Sequence, residues 1–403
     1  MSFFKKAPAV SADSAKIREL LTRGVERVYP SAAALEKELK SGRRLSLYLG
    51  IDPTGPSLHL GHVIPLLKLR QFQELGHKVI LLIGDFTATI GDPTDKLAPR
   101  IALSAAQVAN NAREYKRQAA RMLSFGGDNP AAMRRNSEWL NALPMTEMFA
   151  LFSHVTYSQI IKRDMFQERI SQGRDLNASE LLYPALQGYD SVAMDVDAEV
   201  GGNDQTFNML MGRDLLKKLR RKEKFVVAMK LLTDGAGAKM GKTEGNMVAF
   251  SDAPSDAFGK IMSWPDSMIL SGFELCTTVP TSEIEEVQRK LTGGTNPKDL
   301  KLELAEKIVS LLQGDIEAKK ARAQFNAAFS EGKPEEFVDV SGAGIALSLI
   351  ERGVVESKSE LRRLISEGAI TNLDTGEKIG EEFLTTALAG KYRIGKHRFI
   401  EIK

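Results

Sequence analysis

The sequence predicts an α/β fold: a parallel sheet wrapped by helices over the first 230 or so residues, a helical stretch, then a small α+β module. Three observations predict it. Apolar runs of strand length alternate with amphipathic segments up to about residue 230. From Pro254 to Phe329 the spacing is helical, interrupted at Gly293-Gly-Thr-Asn-Pro297. A polar run, residues 330–336, then separates residues 337–403, which carry apolar positions of their own.

In chain order, strands are expected at 45–50, 79–84, 191–194 and 225–229, where short apolar runs are bounded by Gly or polar residues. Long helices are expected at 102–125 and 145–172, between the second and third strands. Asp234-Gly-Ala-Gly-Ala238 reads as a flexible loop. The expected organisation is a sheet domain over 1–233 with a helical insertion and a mobile loop over 234–250. A helical domain over 251–329, a linker over 330–336 and a C-terminal module over 337–403 follow.

Composition sets the outer bounds. An apolar fraction of 43% is enough for real cores, and no apolar run reaches the ~18 residues of a membrane span. A net charge of +3 means that any nucleic-acid affinity comes from local patches. The single cysteine, Cys276, excludes an intrachain disulfide and a cysteine-rich zinc site. The opening Met-Ser-Phe-Phe-Lys-Lys-Ala-Pro has too few apolar residues for a secretory signal, so a cytoplasmic enzyme is expected.

Leu49-Gly-Ile-Asp-Pro-Thr-Gly-Pro-Ser-Leu-His59-Leu-Gly61-His62 reads as a strand, a broken loop and a helix opening near Leu60. His59 and His62, three apart, face the same way over the first turn. Helix-start N–H groups and the positive dipole end suit a triphosphate, and Gly61 leaves room for a nucleoside against the backbone. Taken alone, a His-x-x-His pair is a weak signal that reads more readily as helix-surface or metal-binding histidines. Downstream, Lys239-Met-Gly-Lys242-Thr243 invites a phosphate-loop reading, but that motif needs a glycine where Ala236 stands.

Together the two stretches resemble the two signatures of class I aminoacyl-tRNA synthetases. The second departs from the usual Lys-Met-Ser-Lys-Ser at Gly241 and Thr243 but keeps both lysines in register. The resemblance implies a Rossmann-like catalytic domain, with ATP as substrate, Mg²⁺ carried by ATP, and no zinc. It also implies that His59, Lys239, Lys242 and Thr243 act on the leaving pyrophosphate, helped by Thr54. His62, Gly50, Asp52, Gly61, Gly202 and Asp204 hold the nucleoside. Helical insertions of this kind often carry a dimer contact, so a homodimer is expected.

Three further stretches sharpen the resemblance to the bacterial tyrosyl type: Asp85-Phe-Thr87…Gly91-Asp92-Pro, Tyr183…Gln187…Asp190 and Gly201-Gly202-Asn-Asp204-Gln205. Tyr183, Gln187 and Asp190 stand at helical spacing, i, i+4, i+7, so all three point into one pocket. By resemblance, Tyr48 and Asp190 bind the substrate phenol, Asp92, Tyr183 and Gln187 its ammonium, and Gln205 the reacting carboxylate region. The tryptophanyl relatives share fold and signatures, but an indole offers a donor and no acceptor.

Residues 337–403 are similar to an RNA-binding module shared with a ribosomal protein, which implies tRNA(Tyr) as partner. Ser357-Lys358-Ser-Glu360 is a capping box opening a helix at 361–366, with Lys358, Arg362 and Arg363 on its surface. Lys391, Arg393, Lys396 and Arg398 form a second basic cluster. The basic run Lys217–Lys224 reads as a solvated helix end or a further RNA contact. Two other functions stay open: another nucleotidyl transferase with the same His-x-Gly-His helix, and a non-catalytic RNA-binding paralogue.

Overall fold

The computed structural model describes residues 9–94, 103–233, 247–330, 337–340, 344–355, 357–380, 383, 389–395 and 398–402. By compactness the chain divides into two units. One comprises residues 1–252 with 260–314, and the other residues 253–259 with 315–403.

The first unit is built on a six-stranded sheet. Its strands are β1 (Val25–Tyr29), β2 (Ser46–Ile51), β3 (Lys78–Ile83), β4 (Ala132–Arg135), β5 (Ala198–Gly202) and β6 (Phe225–Met229), in the order β1-β6-β5-β2-β3-β4. All neighbours run parallel except β1, which lies antiparallel to β6 at the edge. Strands β2 and β3 are apolar on both faces because helices cover both, as parallel strands require. From β2 the chain proceeds outward to β3 and β4, then returns to β5 on the other side. The order therefore reverses between β2 and β5, which opens a crevice at their carboxyl ends.

Two expectations are corrected. Residues 191–194, expected as a strand, are the last turn of the Ala178–Met194 helix, and the strand begins four residues later, at Ala198. A short apolar run does not tell strand from buried helix. Asp195, in the left-handed conformation at φ 47°, stops the helix. The expected long helices are also broken. The 102–125 stretch gives Ala105–Ala112 and Tyr115–Ala119; 145–172 gives Met145–Ser153, Tyr157–Ile160 and Asp164–Ser171. Thr156 restarts the second stretch by capping Gln159 N while the Gln159 side chain returns to its backbone.

Beyond β6 the first unit adds helices Ile269–Cys276, Thr281–Thr292 and Pro297–Gln313; Asn296 caps the last of these after the expected glycine break. The second unit holds a four-stranded sheet, β7 (Val338–Val340), β8 (Ile370–Asn372), β9 (Gly390–Ile394) and β10 (Arg398–Ile402), ordered β7-β10-β9-β8. Helices Ile345–Glu351 and Lys358–Ser366 close over it around Leu349, Leu361, Ile370 and Ile400.

Candidate active site

A cavity of about 260 Å³ opens at the crevice between β2 and β5. Its walls are the ends of those strands, the start of the Leu60–Glu74 helix, one face of the 178–194 helix and the segments 230–232 and 247–248. Every residue expected to bind ATP or tyrosine, where described, lines this one cavity: Tyr48, Gly50, Asp52, Thr54, His59, Gly61, His62, Asp92, Tyr183, Gln187, Asp190, Gly202, Asp204 and Gln205. Lys239, Lys242 and Thr243 lie outside the described residues.

His59 is the N-cap of the 60–74 helix, and its Nδ1 accepts from Gly61 N at 3.1 Å. His62 Nδ1 accepts from His59 N at 3.2 Å, closing a reciprocal capping box made of two imidazoles. With Nδ1 accepting in each neutral ring, the proton resides on Nε2, so each imidazole presents a donor of the kind a phosphate needs. Gly61 has a second reason to be glycine: a Cβ there would sit 3.0 Å from the His59 ring. Beside this helix start, Leu60 N donates to Val248 O and Phe250 N to Leu58 O, which fastens the chain emerging from 234–246 against His59.

The 178–194 helix supplies one wall of the cavity. Tyr183 Oη donates to Asp52 Oδ2 at 2.9 Å, and Gln187 Nε2 donates to Glu199 Oε1 at 3.3 Å. The Tyr183 hydroxyl proton and one Gln187 amide proton are thereby directed inward, which leaves the Tyr183 oxygen and the Gln187 carbonyl as acceptors. Asp92 is held by Thr94 N and Oγ1, at 3.0 and 2.7 Å, and by Gln205 Nε2 at 2.8 Å. A carboxylate, a phenol oxygen and an amide oxygen match the three donors of an ammonium.

Asp190 is buried, its carboxyl pushed up by desolvation even though Trp139 Nε1 (2.8 Å) and Asn136 Nδ2 (3.3 Å) donate to it. Tyr48 is fully buried, and desolvation pushes its phenol well above the ordinary value, keeping it a neutral donor. Asn136 also donates to Thr87 Oγ1, which donates to Asp52 Oδ1. The carboxylates of Asp52 and Asp190 thus share a hydrogen-bonded wall.

Residues 40–330 match the family model described as tRNA synthetases class I (W and Y). A tyrosine–tRNA ligase 2 of Vibrio cholerae is 41% identical over 390 residues, covering 95% of this chain and 97% of the relative. The tyrosine–tRNA ligase of Thermotoga maritima is 39% identical over 393 residues, covering 95% and 96%. The chain belongs to the class I tRNA synthetase family. A C-terminally truncated mitochondrial tyrosyl-tRNA synthetase of Coccidioides posadasii matches with a TM-score of 0.65 at 25% identity, over 77% of this chain and 92% of that one. The Archaeoglobus fulgidus tyrosyl-tRNA synthetase, solved with L-tyrosine, has the same fold at a TM-score of 0.60 and 22% identity, over 77% and 100%.

Within this class I synthetase, several site residues carried no sequence signal of their own. Asn136, Trp139, Ser191 and Glu199 act through contacts that form across sheet and helices. Lys224 is a correction: it is fully buried behind Tyr48, where a solvated or RNA-facing lysine was expected. Two others in that basic run form ion pairs, Lys217 with Glu223 and Lys222 with Asp195 and Asp197, and Lys218 donates to the His154 carbonyl. In the second unit, Arg363, Arg393 and Arg398 border one concavity. Lys358 and Arg362 are exposed on the 358–366 helix, and Lys391 Nζ lies 4.8 Å from the Phe337 ring centroid. Lys396 lies outside the described residues. Among the described residues no group of three His, Cys, Asp or Glu is arranged to hold a metal. No described helix is long and apolar enough to cross a membrane.

Proposed function

We propose that this chain is a tyrosine–tRNA ligase, which activates L-tyrosine with MgATP and passes the tyrosyl group to the 3′ end of tRNA(Tyr). One observation carries the reading: a single cavity offers three acceptors suited to an ammonium and a buried donor–acceptor pair, Tyr48 and Asp190, suited to a phenol. Phenylalanine would leave that pair unsatisfied, a discrimination of ~10⁴–10⁵, a magnitude established for tyrosyl synthetases themselves. Roughly 40% identity to tyrosine–tRNA ligases over nearly the whole chain supports the same reading.

In the first step a tyrosine carboxylate oxygen attacks the α-phosphorus of ATP in line. The new O–P bond forms as the α–β anhydride bond breaks, and pyrophosphate leaves with the electron pair. A carboxylate is already a nucleophile, so positioning and charge stabilisation carry the catalysis. His59 donates from Nε2 to the leaving pyrophosphate, aided by Thr54, Lys239, Lys242 and Thr243. Leu232 and Met247, which flank 234–246, both line the cavity. His62, Gly50, Asp52, Gly61, Gly202 and Asp204 hold the nucleoside, and Gln205 the carboxylate region. Asp92, Tyr183 and Gln187 hold the ammonium.

In the second step a terminal ribose hydroxyl of tRNA attacks the tyrosyl carbonyl carbon, the acyl–phosphate bond breaks and AMP leaves, while Lys358, Arg362, Arg363, Lys391, Arg393, Lys396 and Arg398 contact RNA. The enzyme works in the cytoplasm as a homodimer; Met145, Phe149 and Tyr157 on the insertion, 70%, 67% and 67% exposed, supply its apolar contact. The test is ATP–pyrophosphate exchange with each of the twenty amino acids. Exchange with tyrosine alone is expected. Exchange with tryptophan, or with none, overturns the assignment.

A further inference from the structure

Behind the phenol pocket lies a buried charge pair that the reaction itself does not require. Lys224, at the start of β6, reaches Glu199 on β5 in an ion pair from which solvent is excluded on both sides. Such a pair is expensive to bury, and replacing it with apolar residues is often neutral or stabilising. Its presence therefore points to a task other than stability.

The pair is wired to both ends of the amino-acid pocket. Lys224 Nζ donates to Ser191 Oγ at 2.8 Å, and Ser191 Oγ lies 3.0 Å from Tyr48 Oη. Glu199 accepts from Gln187, one of the proposed ammonium ligands. The backbone has made room for this wiring. A Cβ on Gly212 would sit 2.7 Å from Lys224 Nζ and 2.8 Å from Ser191 Oγ, so only glycine lets the ammonium reach the hydroxyl.

An ammonium has donors only, so Lys224 occupies a lone pair of Ser191 and cannot take the Ser191 proton. That proton is left for Tyr48 Oη. A Tyr48 oxygen that accepts from Ser191 keeps its own proton to donate, and Glu199, the other acceptor near that hydroxyl, is already engaged by Lys224 and Gln187, which leaves the proton for a group in the cavity. We infer that the Lys224–Glu199 pair, acting through Ser191, sets the direction of the Tyr48 hydroxyl so that the pocket demands a ligand group that both accepts from Tyr48 and donates to Asp190. Lys224, Glu199 and Ser191 are thus positioning residues that determine specificity. The inference rests on the reading that tyrosine occupies this pocket.

A para-hydroxyl meets both demands, a bare phenyl neither, and an indole N–H only the second. The relay also links the two ends of the substrate. Through Glu199 and Gln187, the charge that orients the phenol donor also orients an ammonium acceptor.

Ser191→Ala tests this, since it deletes the relay while leaving both charges in place. Steady-state exchange with tyrosine and with phenylalanine is measured for each protein. The tyrosine-to-phenylalanine ratio of kcat/KM is expected to fall about tenfold, the worth of one oriented hydrogen bond. The loss should appear in KM for tyrosine, with kcat/KM for phenylalanine unchanged. Lys224→Met combined with Glu199→Gln, which removes both charges together, should lower the ratio similarly. Equal losses for both amino acids would mark these residues as structural and overturn the inference, as would an unchanged ratio. Failure of the unaltered enzyme to exchange with tyrosine would instead overturn the underlying reading, and the inference with it.

Discussion

His59 caps a helix and is proposed to bind pyrophosphate with the same imidazole, and two substitutions separate these roles. Its Nδ1 caps the 60–74 helix by accepting from Gly61 N, while its Nε2–H is the proposed donor to pyrophosphate. Asparagine is among the best N-caps, so His59→Asn keeps the first job and abolishes the second. Its stability should stay within about 0.5 kcal/mol of the parent, whereas His59→Ala should lose about 1 kcal/mol. A hydrogen bond to a charged group contributes about 1.5–3 kcal/mol, which at 1.36 kcal/mol per decade is about 10- to 150-fold in rate. Both variants should therefore form tyrosyl-adenylate about 10- to 150-fold more slowly, with little change in tyrosine affinity. Single-turnover adenylate formation gives the rate, and urea unfolding gives the stability. If His59→Asn recovers activity along with stability, His59 is only a cap.

Four further outcomes are expected. Gly61→Ala, whose methyl would stand 3.0 Å from the His59 ring, should slow adenylate formation about tenfold; normal kinetics would show that the ring tolerates the shift. Burial pushes the His77 imidazole down to about 4, below its unfolded value, so the unfolded chain binds the extra proton between about pH 6.5 and 4. Stability should fall by up to about 3 kcal/mol as pH drops through that window, and His77→Asn should remove this slope from the urea-unfolding profile; an identical slope would refute it. Arg362→Ala and Arg393→Ala should each lower the salt slope of tRNA binding by about one unit without slowing adenylate formation, as filter binding across salt concentrations reads out. Phe149→Glu should convert a dimer to a monomer in sedimentation; an unshifted sedimentation coefficient would place the contact elsewhere.

Much of the site was legible because its ligands lie close together in sequence. His59 with His62, and Tyr183 with Gln187 and Asp190, each share one helix, and helical spacing places such residues on one face whatever the rest of the chain does. Elements decided by distant partners were not legible. The 191–194 run is apolar enough for a strand, and only packing against the Thr206–Arg220 helix makes it helical. Lys224 belongs to a basic run and would face water but for Glu199, twenty-five positions away in sequence. Trp139 and Asn136 reach Asp190 from more than fifty positions away, beyond any local pattern.

Tyr183 and Asp190 stand on the same rigid cylinder, seven residues apart, about 10 Å along its axis. That helix is a measuring rod for whatever lies alongside it, with its proposed ammonium mark and phenol mark cut into one piece of backbone. Neither mark can move independently of the other. The pocket can be retuned by exchanging side chains at its two ends, but a substrate one methylene longer would overrun the rod. Accepting one would require unwinding the helix that defines the length.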